Sequence, residues 1–350
     1  PAGRNGAGRR ARRGGMKRRE YLAALAGLAL VPWANAVAAT SGLHVFGVLP
    51  EPGRVRRVYA AGAPASVLVY CLAPDKLLGW PYTLSEAARA FIAPAWRNLP
   101  HLGRLAGTGS SMPLEQLLAM KPDLIVDAGT VNDTYLSQAE RVWRLTGIPY
   151  VLVDGRLPDS PRQLRETGAL LGVPVRGEAL ARHAEAALAD AAQARPARIE
   201  RLYLARGPTG LDSAAAGAIN AEVIEVAGGI NVVKEGRGLV RVSREQLLAW
   251  SPDRILTLDA AFFEHAQSDA FWRGLPAVRA GRFHLLPDKP FGWLDFPPGV
   301  NRLIGLRWLV ARLRGETGGA AWVAQAEEFH RLFYGYAPSR EVLARLLEHA

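Results

Sequence analysis

The sequence has a single cysteine, Cys71, and only seven histidines. One thiol excludes a disulfide framework within the chain and a zinc or iron–sulfur site built from cysteines. The histidines form no closely spaced pair, which argues against a carrier of bare zinc or manganese ions. We find no nucleophile elbow, phosphate-binding loop or zinc-protease motif. We therefore expect a protein that is not an enzyme and that holds no resident metal or cofactor.

The net charge of +11 is concentrated at one end of the chain. Residues 1–20 contain eight basic residues and one acidic residue, whereas the other 330 residues contain 35 basic and 31 acidic ones. Because the main body is nearly balanced in charge, we expect no nucleic-acid partner. The length of 350 residues, with 49% hydrophobic residues, is sufficient for two folded domains.

The N-terminal segment has the pattern of a secretory signal peptide. A basic stretch ending at Arg19 precedes an uncharged apolar run from Tyr21 to Val31, and Ala34 and Ala36 are small residues suited to cleavage. The apolar run is shorter than the ~20 residues that span a bilayer. The arginine pair also fits twin-arginine export, and no cysteine follows the run to carry a lipid. We expect a periplasmic protein with a cleaved signal peptide that is not a lipoprotein.

One eleven-residue pattern occurs twice in the chain. Residues 115–125 read EQLLAMKPDLI and residues 245–255 read EQLLAWSPDRI, which are identical at eight of the eleven positions. Each copy predicts a short helix that ends before a Pro-Asp pair and is followed by an apolar strand. Strands that alternate with helices are typical of mostly parallel sheets covered by helices on both faces. We therefore predict an α/β fold with two Rossmann-like lobes.

A stiff helical connection is predicted between the lobes. Helices are expected from Pro161 to Leu171 and from Gly177 to Ala194, and a flexible linker would instead be rich in glycine and serine. The second of these is the one long rigid helix that joins the lobes. The predicted organisation is an extension and signal peptide over 1–36, an N-terminal lobe over 37–156, linking helices over 157–197, and a C-terminal lobe with closing helices over 198–350.

The repeated element and the helical connection resemble the periplasmic iron-complex and cobalamin binding proteins of ABC importers. The resemblance runs from about Val55 to Leu313 and is carried by three stretches, residues 243–252, residues 225–231 and the aromatic–acidic loop 292–295. It implies capture of a metal chelate, such as an iron–siderophore or cobalamin, and its delivery to permease subunits in the inner membrane. We expect the protein to act as a monomer.

The resemblance also implies that Glu115 and Glu245, one on each lobe, dock against the permease. A glutamate in the first turn of a helix is also favoured by the helix dipole, and the two explanations are compatible.

Ligands bind beyond the carboxyl ends of strands in parallel α/β sheets. The loops expected there supply aromatic side chains, a hydroxyl, an acid and a cation as candidate ligand contacts, namely Trp80, Tyr82, Ser110, Arg206, Trp293 and Asp295. Stacking, hydrogen bonds and one charge pair suit a bulky metal chelate. Backbone N–H groups in the loop 107–111 also suit an oxyanion. A molybdate- or tungstate-type oxyanion and haem are therefore alternative cargoes.

Overall fold

The computed structural model describes residues 41–106, 109–194, 198–316 and 319–348. The predicted signal peptide over 1–36 lies outside the described residues, as do Gly107 and Thr108 of the glycine-rich loop. In the described ranges, no helix has both the length and the apolar character needed to cross a membrane.

Four strands form the sheet of the first lobe: β1 (Leu43–Phe46), β2 (Val58–Ala60), β3 (Leu124–Gly129) and β4 (Tyr150–Asp154). Their order is β1-β4-β3-β2, in which β2, β3 and β4 are parallel and β1 is antiparallel to β4. The helices of this lobe are α1 (Ala63–Leu72), α2 (Glu86–Arg89), α3 (Leu114–Met120) and α4 (Asp133–Thr146). Consecutive β3 residues Ile125 and Val126 are both buried, as expected of a strand covered on both faces.

The connection between the lobes contains both predicted helices, α5 (Ser160–Leu170) and α6 (Pro174–Gln193). At 1.5 Å per residue, the 20 residues of α6 extend about 30 Å. The two helices approach each other closely because both have glycine at the contact. A Cβ atom on Gly168 would lie 2.8 Å from the Cα atom of Gly177.

The sheet of the second lobe is entirely parallel. It uses β5 (Arg201–Ala205), β7 (Ile230–Asn231), β9 (Arg254–Thr257) and β10 (Phe283–Leu285) in the order β10-β9-β5-β7. A separate antiparallel pair joins β6 (Asp212–Ala214) to β8 (Leu239–Arg241). The helices are α7 (Glu222–Val226), α8 (Arg244–Trp250), α9 (Ala260–Ala266), α10 (Ala270–Gly274), α11 (Pro276–Arg279), α12 (Arg302–Leu313), α13 (Gly319–Tyr334) and α14 (Arg340–Leu346). The predicted α/β fold with mostly parallel sheets is confirmed.

The repeated Pro-Asp pair has the same structural role in both lobes. Oδ2 of Asp123 accepts hydrogen bonds from the backbone N–H groups of Arg56 and Arg57, just before β2. Oδ2 of Asp253 accepts one from the N–H group of Arg201, the first residue of β5. Each aspartate therefore fixes the start of the neighbouring strand, which explains why this part of the repeat recurs.

The sequence also predicts a strand over residues 76–80, and this strand is absent as a continuous element. Residues 76–80 make only isolated bridges, between Leu77 and Val58 and between Trp80 and His101. Proline at position 74 begins a single 3₁₀ turn instead, and Pro81 has no N–H group to continue a ladder.

The C-terminal helices, expected to close the second lobe, contact both lobes. Trp322 of α13 has its ring 6.4 Å from that of Trp293 in the second lobe. The carbonyl of Tyr334 at the end of α13 accepts a hydrogen bond of 2.9 Å from the hydroxyl of Tyr70 on α1. A single buried hydrophobic cluster includes residues of both sheets and of α13, so the lobes share a continuous core.

Candidate functional site

A cavity of about 390 Å³, here called the cleft cavity, is lined by residues of both lobes. The first lobe contributes the segments at the carboxyl ends of β2 and β3, in agreement with the strand-end rule. The second lobe contributes Asn220 before α7, Leu239 of β8, and the proline pair at 297–298 before α12. The cavity therefore lies at the carboxyl ends of the strands, where ligands bind in parallel α/β folds.

Asp127 of β3 forms part of the wall of the cleft cavity, and its side chain is buried. Its Oδ2 accepts a hydrogen bond of 3.0 Å from the hydroxyl of Tyr150 on β4, and its Oδ1 accepts one of 2.9 Å from the N–H group of Ala128. Burial raises the pKa of Asp127 to about 6, although both hydrogen bonds favour the carboxylate. The cavity wall therefore contains an acid that changes charge near neutral pH.

Arg104 is the cation of the cleft cavity. Its Nε donates to the carbonyl of Gly109 at 3.0 Å, and its backbone N–H donates to Oγ of Ser111 at 3.1 Å. Ser110 is exposed, donates from its hydroxyl to the Arg104 carbonyl at 3.2 Å, and is not among the cavity-lining residues. Gly109, Ser110 and Ser111 thus lie against Arg104, and Ser110 contacts this residue rather than the cavity.

Of the three predicted ligand-contacting aromatic residues, Tyr82 lines the cleft cavity, and burial raises the pKa of its hydroxyl. The indole of Trp80 is buried, donates to the Trp96 carbonyl at 3.2 Å and lies 5.4 Å from the Tyr70 ring. Trp293 is likewise buried and does not line the cavity. The two tryptophans are core residues in this structure, because their large apolar side chains fill the space behind the loops that carry them.

Arg206 and Asp295, predicted as ligand contacts, pair with each other. Nε of Arg206 lies 2.9 Å from Oδ2 of Asp295, and both side chains are buried. The guanidinium also lies over the ring of Phe296, 4.3 Å from its centre. Arg206 lines a different cavity, of about 490 Å³, at the strand ends of the second lobe. Its charge is therefore partnered by Asp295 in this structure, and its contact with a ligand stays a prediction.

Asp295 connects this ion pair to the cleft cavity. Its Oδ1 accepts a hydrogen bond of 2.7 Å from the side-chain amide of Asn220, which lines the cleft cavity. Asp295 itself has no exposed surface. Arg206 and Asp295 therefore support a cavity-lining residue instead of contacting the cavity directly.

Glu115 and Glu245 occupy equivalent positions in the first turns of α3 and α8, and both are exposed. An exposed leucine follows one turn later on each helix, Leu118 and Leu248. Hydrogen bonds from its own N–H group and from the Ser243 hydroxyl lower the pKa of Glu245. Each lobe thus presents the same combination of an acid and an exposed leucine.

Residues 96–290 match the sequence profile described as periplasmic binding protein. This range covers more than half of the chain and includes both copies of the repeat. The chain belongs to the periplasmic binding protein family.

Individual members of this family are similar to the chain over different lengths. The vitamin B12-binding protein of Salmonella choleraesuis (strain SC-B67) is 33% identical over 175 residues, which are 48% of this chain and 63% of that protein. The chain thus matches less than two thirds of the length of this curated relative.

Two solved structures show the same fold. An ABC transporter solute-binding protein from Sulfurospirillum deleyianum superposes with a TM-score of 0.75 at 27% identity, covering 86% of this chain and 96% of that one. The molybdate-bound periplasmic protein of Haemophilus influenzae has a TM-score of 0.66 at 20% identity, covering 83% and 96%. At the latter identity the similarity concerns the fold alone.

In this periplasmic binding protein, the two charged residues that line the cleft cavity, Arg104 and Asp127, are not among the six predicted ligand contacts. Asp127 had a detectable signal, because it is the only acid within the apolar strand that begins at Leu124. Arg104 precedes the glycine-rich loop that the sequence had already indicated. Of the six predicted ligand contacts, Tyr82 is the one that lines the cleft cavity.

Proposed function

We propose that this protein is the substrate-binding component of an ABC importer and that it captures a metal chelate in the cleft cavity. An iron–siderophore, cobalamin or a similar complex is the proposed cargo. The main observation in support of the proposal is the cleft cavity. It lies at the strand ends, is lined by residues of both lobes, and combines apolar walls with a few polar groups. Such walls suit a ligand that buries much apolar surface and is oriented by a small number of hydrogen bonds.

An oxyanion is the second candidate cargo. Arg104 in the cavity supports it, and so does the molybdate-bound structural neighbour. The carboxyl group of Asp127 opposes it, because a carboxylate in the same cavity repels an anion. The apolar surface contributed by Pro81, Leu152 and Ile219 also has no partner on a small, fully polar anion. We therefore prefer the chelate, with haem as a further chelate-type alternative.

Delivery of the cargo requires a membrane partner. We infer that the exposed Glu115 and Glu245 dock against cationic residues of the permease, with Leu118 and Leu248 adding apolar contact beside them. The protein is proposed to act as a monomer in the periplasm after cleavage of its signal peptide, and to perform no catalysis.

Isothermal titration calorimetry of the periplasmically expressed protein tests the cargo class. The panel contains ferric hydroxamate and catecholate siderophores, cobalamin, haemin and molybdate at pH 7.5. We expect at least one chelate to bind with a dissociation constant of about 1 μM or lower, and molybdate to give no heat. Binding of molybdate alone would favour the oxyanion carrier, and binding of no chelate would contradict the proposal.

A further inference from the structure

We propose that Asp127 anchors the cargo and that the cargo presents a cationic group or a hydrogen-bond donor, such as an ammonium or an amide N–H, to this carboxyl group. The inference rests on the function proposed above and specifies the chemistry of the same site. The cleft cavity then has two different polar groups, the carboxyl group of Asp127 on β3 as an acceptor and the guanidinium of Arg104 as a cation.

The geometry of Asp127 leaves acceptor capacity for a ligand. An ionised carboxylate offers about four lone-pair positions on two oxygens. Tyr150 occupies one position on Oδ2, and the N–H group of Ala128 occupies one on Oδ1. Because Asp127 also lines the cleft cavity, a donor that enters the cavity can approach the remaining positions.

No ion pair within the described part of the chain compensates the charge of Asp127. The neighbours of this residue on β3 are apolar. A buried carboxylate without a cation is unfavourable, and the pKa of this group is accordingly raised to about 6. An asparagine would accept the Tyr150 hydrogen bond without this cost. The carboxylate of Asp127 lowers the stability of the protein without cargo. Its presence is explained when the cargo supplies a positive charge or a hydrogen-bond donor to it.

Among the titratable groups around the cleft cavity, Asp127 is the one that should make cargo affinity depend on pH. The other titratable side chains that line the cleft cavity are Tyr82, Arg104 and Tyr135, and the strand beside Asp127 contributes Tyr150. Helix α1, which packs on β3, contains no charged residue, and Asp133 at the start of α4 is exposed. Burial raises the pKa values of the Tyr82 and Tyr150 hydroxyls above their usual range, so neither changes charge between pH 5 and 8.

Calorimetry with charge-matched probes tests the inference. The probes are a ferric trihydroxamate with a free primary ammonium, the same complex with that amine acetylated, and cobalamin, whose amide groups donate hydrogen bonds. The variants are Asp127→Asn, which removes the charge, and Asp127→Ala, which removes the acceptor. Asp154→Asn is the matched control, because Asp154 ends the neighbouring strand β4 and does not line the cavity. Thermal unfolding establishes that each variant is folded.

We expect the wild-type protein to bind at least one of these probes, and Asp127→Ala to weaken that binding about 10- to 100-fold, the range for a hydrogen bond to a charged group. Asp127→Asn should weaken the ammonium probe by a similar factor and the amide-bearing probes less. Asp154→Asn should bind as the wild type does. Affinity of the wild type for the ammonium probe should also fall as the pH is lowered from 7.5 to 5, and Asp127→Asn should abolish this dependence.

The possible outcomes separate the two proposals. If a chelate binds and both Asp127 variants bind it within a factor of about two of the wild type, the anchoring role is wrong while the proposed function stands. If molybdate binds and Asp127→Asn tightens it, the cargo is an anion and both proposals fail. If no chelate binds, the proposed function fails, and the inference that depends on it fails too.

Discussion

Nη1 of Arg302 lies 3.2 Å from Oε2 of Glu222, and both side chains are buried. Nη2 of Arg302 donates to the carbonyl of Gly155 at 2.6 Å, and the same Glu222 oxygen accepts a hydrogen bond of 2.7 Å from the N–H group of Leu157. Gly155 and Leu157 follow β4 of the first lobe, whereas Arg302 and Glu222 belong to α12 and α7. This buried ion pair therefore joins the two lobes.

Removal of one partner should destabilise the protein strongly, because the other charge stays buried without its ion-pair partner. We expect Glu222→Gln to lower the free energy of unfolding by about 3–5 kcal/mol. Equilibrium unfolding in urea measures this quantity. Glu140→Gln, which breaks the exposed pair of Glu140 with Arg144, is the control and should cost at most about 1 kcal/mol. Equal effects of the two substitutions would show that the buried pair does not hold the lobes together.

Arg206→Ala should lower stability as well as affinity. The substitution removes the ion-pair partner of the buried Asp295, and we expect a loss of about 3–5 kcal/mol in urea unfolding. Asp295 should then hold the Asn220 amide less firmly, so that affinity for the cargo decreases secondarily. The double variant Arg206→Ala with Asp295→Asn should recover part of the stability, as a double-mutant cycle measures. Unchanged stability with weakened binding would instead support the original expectation of direct ligand contact.

The sequence predicted the parts of the fold that depend on local pattern. The duplicated Pro-Asp element and the helices on either side of Gly172 follow from periodicity, proline and glycine. The antiparallel strand β1 was not predicted, because its pairing with β4 joins residues more than 100 positions apart. Such a contact has no local signal.

The site was predicted less well because exposure is a tertiary property. Loops that follow β2 and β3 line the cleft cavity, yet side chains within the strand-end loops point either to the cavity or to the core. Trp80 and Trp293 were expected at the cavity as large aromatic residues, and the same size makes them effective core residues. Arg206 was predicted as a ligand contact, and the sequence gives no indication that Asp295, 89 positions away, lies beside it.

His330 should make stability depend on pH. Its side chain is fully buried, neither ring nitrogen has a hydrogen-bond partner in the described ranges, and burial lowers its pKa from 6.5 to about 3. The unfolded chain therefore binds a proton that the folded protein excludes. Stability is fully present above pH 6.5 and is lost as the pH falls from about 6.5 towards 3. At pH 5 the loss attributable to this residue is about 2 kcal/mol relative to pH 7.5.

His330→Phe tests this dependence, because phenylalanine fits the aromatic surroundings of Phe91 and Tyr334 and does not titrate. The difference in unfolding free energy between pH 7.5 and 5 should be smaller in this variant by about 2 kcal/mol. His284, whose pKa burial also lowers to about 4, should maintain part of the dependence. Replacement of the exposed His101 by glutamine is the control. An unchanged pH dependence in His330→Phe would exclude His330 as its source.

The docking proposal predicts loss of transport without loss of binding. Reversal of both charges, Glu115→Arg with Glu245→Arg, should place cations against a cationic permease surface and abolish uptake of the cargo. Calorimetry should give the wild-type affinity, because neither residue lines the cleft cavity. The control is the double variant Glu140→Arg with Glu264→Arg, which reverses one charge on α4 and one on α9. Normal uptake by the Glu115 and Glu245 double variant would contradict the docking role.

Cargo binding should close the cleft only slightly. The 20-residue helix α6 packs against α5 and α12, the lobes share one hydrophobic cluster, and Arg302 joins them at Gly155. Large hinge motions require a few residues that absorb changes in backbone angles, and an intact helix has none to offer. Small-angle X-ray scattering should therefore give the same radius of gyration, within error, before and after cargo is added. Glycine at the exposed Ala186 and Ala189 weakens α6 while leaving its buried face intact, and this variant should show a larger change on binding. A large decrease in the wild-type radius would place a hinge in the connection and contradict the rigid arrangement.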